Sequence, residues 1–104
     1  MSIADIAARK AAIDREEIRR LVLEALVGDP DYAISHYVLR RLVSEYGHAE
    51  SDVARELTWL EERGLISTNV IAGSMPESVI TRLGADVANG RKAFPGVPSK
   101  GLGQ

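Results

Sequence analysis

Six residues have the types and the neighbourhood to meet a phosphate backbone: Arg40, Arg41, His48, Ser51, Arg55 and Arg82. Arginine supplies most of the affinity of proteins for nucleic acid, because each cation neutralises a phosphate and releases its counterion. A hydroxyl at the start of a helix adds a positioning contact of another kind. Each residue also has a plainer reading, since surface charges are common and pair locally. At helical spacing Arg55 can pair with Asp52, and Arg41 with Glu45.

Other chemistry finds little to work with. His36 and His48 stand twelve positions apart with no third ligand at zinc spacing. No Gly-x-Ser-x-Gly elbow and no glycine-rich loop ending in Lys-Ser or Lys-Thr is present. Asp29 and Asp31 flank a proline, where carboxylates usually serve a turn. The sequence lacks cysteine, which removes disulfides, thiolate metal sites and cysteine nucleophiles. No catalytic, metal or cofactor site is expected, and the chain is read as not an enzyme.

The elements that must hold these residues follow from the apolar pattern. Ser2 can cap a first helix carrying Ile3, Ile6 and Ile13. Asp14 and Glu17 have capping-box spacing, so a second helix starts there or the first runs through. Ile18, Leu21, Val22, Ala25 and Leu26 make an apolar stripe that Gly28-Asp29-Pro30 ends. Tyr32 to Ile34 reads as an extended link, and Ser35 as the cap of a helix burying Val38, Leu39, Leu42 and Val43. Tyr46-Gly47 closes that helix. The next begins near Ser51, buries Val53, Leu57 and Leu60, and ends at Gly64. Trp59, the single tryptophan, lies beside this face and reads as a residue at the edge of the core. Leu65–Ile71 and Ser78–Thr81 are rich in β-branched residues and read as a hairpin around Ala72–Pro76. Leu83–Arg91 is a last helix. From Ala93 onward the prolines and glycines predict an extended or disordered tail.

The division is therefore an N-terminal helical extension (1–14), one domain (15–92) and a flexible tail (93–104). A chain of 104 residues with 45% apolar and 27% charged residues has globular composition. Its start lacks a basic residue before an apolar run, and no stretch is apolar enough to span a bilayer, so a cytoplasmic protein without membrane contact is expected.

Two short helices joined through Gly47, followed by a hairpin, have the order of a winged helix-turn-helix: mainly α with a small β-hairpin. The run Leu57-Thr58-Trp59-Leu60-Glu61-Glu62-Arg63-Gly64-Leu65-Ile66 resembles the end of the recognition helix in winged-helix regulators. Thr81-Arg82-Leu83-Gly84-Ala85-Asp86-Val87-Ala88 resembles the segment that closes their wing. More narrowly, Gly47-His48, Leu57–Ile66, Gly84–Ala88 and Pro95-Gly96-Val97 make the chain similar to small proteins of Mu-like phages and prophages, often labelled ArsR-like by fold. This resemblance implies a phage- or prophage-encoded transcriptional regulator that binds double-stranded DNA through the Glu50–Arg63 helix and the Ser67–Ser78 hairpin. The cysteine-rich metal motif of ArsR-type sensors is missing, so that role does not carry over.

Charge speaks against the simple form of this expectation. Ala49–Arg63 holds Glu50, Asp52, Glu56, Glu61 and Glu62 against Arg55 and Arg63, a net charge of −3. The hairpin has Glu77 and no cation. The whole chain is at −2. Like charge against phosphate costs affinity. The alternative is a winged-helix protein-interaction or assembly module without DNA binding. Ile3, Ile6 and Ile13 suit it: they either fold back on their own core or bury themselves in a second copy as a homodimer.

Overall fold

The computed structural model describes residues 1–99. Among them the order is α1 (Ile3–Gly28), β1 (Ala33–Ser35), α2 (His36–Ser44), α3 (Glu50–Glu62), β2 (Ile66–Asn69), β3 (Glu77–Ile80) and α4 (Arg82–Ala88). The protein is mainly helical, with one small antiparallel sheet.

Helix α1 starts where the sequence places it. Ser2 Oγ accepts the Asp5 amide, and the Asp5 carboxylate accepts the Ser2 amide, each at 3.1 Å. These reciprocal bonds satisfy two of the donors a helix start leaves unpaired. The Asp14–Glu17 spacing opens no second helix: the chain runs through to Gly28, a length of about 39 Å at 1.5 Å per residue. Residues Ile18, Val22, Leu23 and Leu26 are buried against the rest of the molecule. Residues 1–11 are all exposed, with Ile3 at 87% and Ile6 at 55%, and Ile13 beyond them is 46% exposed. The fold-back alternative for these isoleucines is thereby removed. They lie on a continuous helix that carries them away from their own core.

Helix α1 ends at Asp29, whose carboxylate accepts the Asp31 amide at 2.9 Å. Tyr32 follows with φ 57°, a left-handed conformation that side chains rarely adopt. It turns the chain into β1, which pairs with β3 in the register Ala33↔Val79. The extended link expected from the sequence is thus a strand, and the hairpin is part of a three-stranded sheet of order β1-β3-β2. The hairpin partners are Ile66↔Ile80 and Asn69↔Glu77. Thr81 caps α4 instead of extending β3: its hydroxyl accepts the Gly84 amide and reaches the Gly64 and Leu65 carbonyls. Gly84 lets α4 lie directly on the chain entering β2, for a Cβ there would run into the Leu65 carbonyl.

The core joins the α1 residues to Leu39, Val43, Val53, Leu57, Leu60, Leu65, Ile66 and Val87. Two expectations need correction. Val38 and Leu42 belong by spacing to the buried face of α2, yet both are more than 40% exposed. Leu39 and Val43, one turn apart, face the core, while Val38 and Leu42 each lie about 100° round the helix from them and stay open. The tail also differs. Phe94 and Val97 pair as an isolated bridge, and Val97 is buried in the core. Residues 93–99 are folded onto the domain; the rest of the expected flexible tail lies outside the described residues.

Candidate nucleic-acid interface

Helix α3 carries most of the candidate chemistry, and an ion pair on its inner side sets its orientation. Glu56 is 2% exposed and accepts the Arg19 Nε–H of α1 at 2.8 Å. Arg19 also donates to the Gly96 carbonyl at 2.8 Å and stacks over Trp59 at 3.7 Å. Arg63 covers the same ring at 4.0 Å, and Phe94 meets it edge-on at 6.2 Å. Gly96 (φ 90°) is needed here, since a Cβ would lie 2.9 Å from the indole. One knot therefore ties α1, α3 and residues 94–97 together, with the two buried charges satisfying each other.

This arrangement changes the charge that α3 presents. Glu56 points inward and is neutralised. The outer surface shows Ser51, Arg55 and Thr58, with Ala54 half-buried between them, Glu50 and Asp52 in the first turn and Glu61 and Glu62 further along. Ala49 occupies the cap position, so Ser51 sits inside the helix rather than capping it. Arg55 meets Asp52 at 3.4 Å, but both are well exposed, and such pairs contribute about 0–1 kcal/mol. Arg55 can release its partner at low cost. Arg15 of α1 lines the same shallow concavity as Arg55 and adds a second cation.

The other candidates are placed differently. Arg40 is half-buried, and its Nε has no hydrogen-bond partner. Burial first, and then the Arg40 charge, push the neighbouring His36 below its ordinary value against the opposing pull of Glu61. Arg41 is exposed and reaches the Tyr37 hydroxyl at 3.5 Å; the expected pair with Glu45 is not among the contacts of the described residues. His48 is enclosed, with a side chain 8% exposed and its Nε2 2.8 Å from Glu17, so its ring is occupied in joining the turn to α1. Arg82 is exposed at the start of α4, beside Asp31 and Arg91 past the far end of α1. It shares no surroundings with the Arg15–Arg55 concavity, which lies nearer the start of α1.

The structure thus gathers Ser51 and Arg55 on one face, adds Arg15 to them, keeps Arg40 and Arg41 on α2, and leaves Arg82 apart. The hairpin tip presents Val70, Ile71 and Met75, each more than half exposed. Sequence reasoning missed Arg15 and the Arg19–Glu56–Trp59 knot. No local signal could have found them, since Arg15 and Arg19 meet Glu56 and Trp59 only through the packing of α1 against α3.

Among the described residues no group of three His, Cys, Asp or Glu side chains could hold a metal ion, and no helix is long and apolar enough to cross a membrane. No protein-family model, curated protein or solved structure matches the chain.

Proposed function

We propose that this chain is a winged-helix DNA-binding protein: α2 and α3 form the helix-turn-helix, and β2–β3 the wing. In this reading it acts in the cytoplasm as a small transcriptional regulator, in keeping with the phage and prophage proteins its sequence resembles. The observation that carries the proposal is the outer face of α3. Along its first two and a half turns it offers Ser51, Ala54, Arg55 and Thr58, small or hydrogen-bonding residues around one cation, with Glu50 and Asp52 of the first turn beside them. Helix-turn-helix proteins read bases with this part of the second helix. The inward turn of Glu56 removes one of the charges that weighed against the reading.

Arg55, Arg15 and Arg41 serve as phosphate contacts, and Ser51 as a positioning donor. So few cations imply modest affinity with a shallow salt dependence, on the order of one unit of slope per phosphate met. Titration of labelled duplex at low and moderate salt tests this. Binding at low salt that weakens in Arg55→Ala is expected; no binding at low salt overturns the proposal.

A second reading rests on the wing. Val70, Ile71 and Met75 are exposed on a hairpin tip without a cation, and α3 ends with Glu61 and Glu62 on its surface. Such a surface suits a protein partner better than a phosphate backbone. Under this reading Met75→Asp abolishes partner capture while Arg55→Ala leaves it unchanged.

A further inference from the structure

We infer that the projecting first part of α1 docks into the groove between α1 and α2 of a second copy of the chain. The groove is an open concavity of about 310 Å³, lined by Leu21 and Ala25 of α1 and by Leu42 and Tyr46 of α2 and the turn after it, with Glu24 and Glu45 also on its walls. Leu42 and Tyr46 are 42% and 67% exposed, so the apolar wall has no cover within the described chain. The arm has the matching surface. Ile3, Ile6 and Ile13 fall with Lys10 on one stripe at the a and d spacing of a heptad. From Ile3 to Ile13 the stripe runs about 15 Å, enough to cover the stretch from Leu21 to Ala25 with a turn to spare.

Charge and geometry together select the occupant. Glu45 has no ion-pair partner among the described residues, while Glu24 is held by Arg20 at 2.9 Å. The arm brings Arg9 and Lys10. Lys10 interrupts the isoleucine stripe where a purely apolar contact would have no use for it. Its present partner Asp14, at 2.6 Å, is an exposed neighbour on the same helix, a kind of pair easily exchanged. Lys10 is therefore placed to meet Glu45 of the second copy while Ile6 and Ile13 cover Leu42 and Tyr46. The arm cannot reach the groove of its own chain, because both lie on the same unbroken helix. Reciprocal exchange of two arms gives a closed C₂ pair, in which each copy supplies one arm and one groove. The groove lies on the α2 flank away from Arg40, which shares the surroundings of His36 with Glu61 of α3. Docking therefore leaves the outer face of α3 open.

Sedimentation equilibrium over a range of concentrations tests this, with circular dichroism as a check on folding. The wild-type chain is expected to form dimers. Ile6→Asp on the arm, and Leu42→Asp or Tyr46→Asp in the groove, should each raise the dimer dissociation constant about tenfold or more. Lys10→Glu should weaken association, and adding Glu45→Lys should restore it. Because the chain lacks cysteine, mixing Ile6→Cys chains with Leu42→Cys chains under mild oxidation should give a mixed disulfide-linked pair. A monomer at all concentrations overturns the inference. So does a dimer that Ile6→Asp disrupts while Leu42→Asp and Tyr46→Asp leave it intact, since the arms then pack on each other. A dimer insensitive to Ile6→Asp also overturns it.

Discussion

The two halves of α1 are one continuous helix and behave as different objects. From Arg15 to Gly28 nearly every turn contributes to the core or to the knot around Trp59. From Ile3 to Asp14 no residue is buried, and the helix is held by its Ser2–Asp5 cap and the Lys10–Asp14 pair. An isolated helix of that length is marginal in water, so the arm persists by propagation from the anchored half. Apolar residues thus do two jobs along one helix. Ile18, Val22 and Leu26 build the domain; Ile3, Ile6 and Ile13 stand exposed on the arm, where the proposed second copy would cover them.

The sharpest way to break the contrast is to remove a charge from the anchored half. Arg19→Ala or Glu56→Ala leaves its partner buried without a counter-charge, and unfolding by urea should show a loss of about 3–5 kcal/mol. Substituting both residues with apolar side chains of similar volume should cost far less, which separates the pair from its packing. Next in size is a matched comparison of truncations. Leu23→Ala, at a site 1% exposed, should cost about 2–5 kcal/mol, whereas Ile6→Ala should change the stability of the monomer by less than about 0.5 kcal/mol. Equal losses would mean that the arm packs on its own domain after all.

Much of this contrast is legible in the sequence, and the rest has physical reasons for being hidden. The Ser2 cap, the Ile18–Leu26 stripe and the Val53, Leu57, Leu60 face can be read because capping chemistry and helical periodicity are local signals. The strand Ala33–Ser35 cannot, since three residues are too short to show alternation. Glu56 counts as a surface acid in the sequence because nothing in its own neighbourhood reveals Arg19, which lies 37 residues away. Residues 93–99 resemble a flexible tail in their proline and glycine content. Phe94, Val97 and the Gly96 carbonyl outweigh that content by docking on Trp59, the core and Arg19. At the candidate interface Arg55 and Ser51 stand out by type and position. Arg15 does not, because only the packing of α1 against α3 brings it there.

Smaller effects sharpen the comparison by pH. His36 is held below its ordinary value of 6.5 by burial and by Arg40, so the folded state binds its proton less readily than the unfolded chain. Stability should therefore fall as pH drops below about 6.5, and His36→Gln should flatten that part of the urea-midpoint profile. Asp5 is lowered from 3.8 by its bonds to Ser2, so its contribution is present above that value and fades as pH falls through the carboxylate range. The response to Asp5 should be confined to the arm. Amide exchange of residues 5–12, measured against each amide's intrinsic rate at that pH, should lose protection at low pH and in Ser2→Ala, while amides of Ile18–Leu26 stay protected.

Beyond building the core, the anchored half of α1 acts on α3. Through Arg19 and Glu56 it sets that helix so that Ser51, Arg55 and Thr58 face outward, where the proposed duplex would lie. Titration of labelled double-stranded DNA at low salt with wild-type protein and Arg55→Ala measures this most directly. Saturable wild-type binding that weakens several-fold in the variant and falls with added salt is the predicted result. No binding at low salt, or equal affinity of the two proteins, would contradict it.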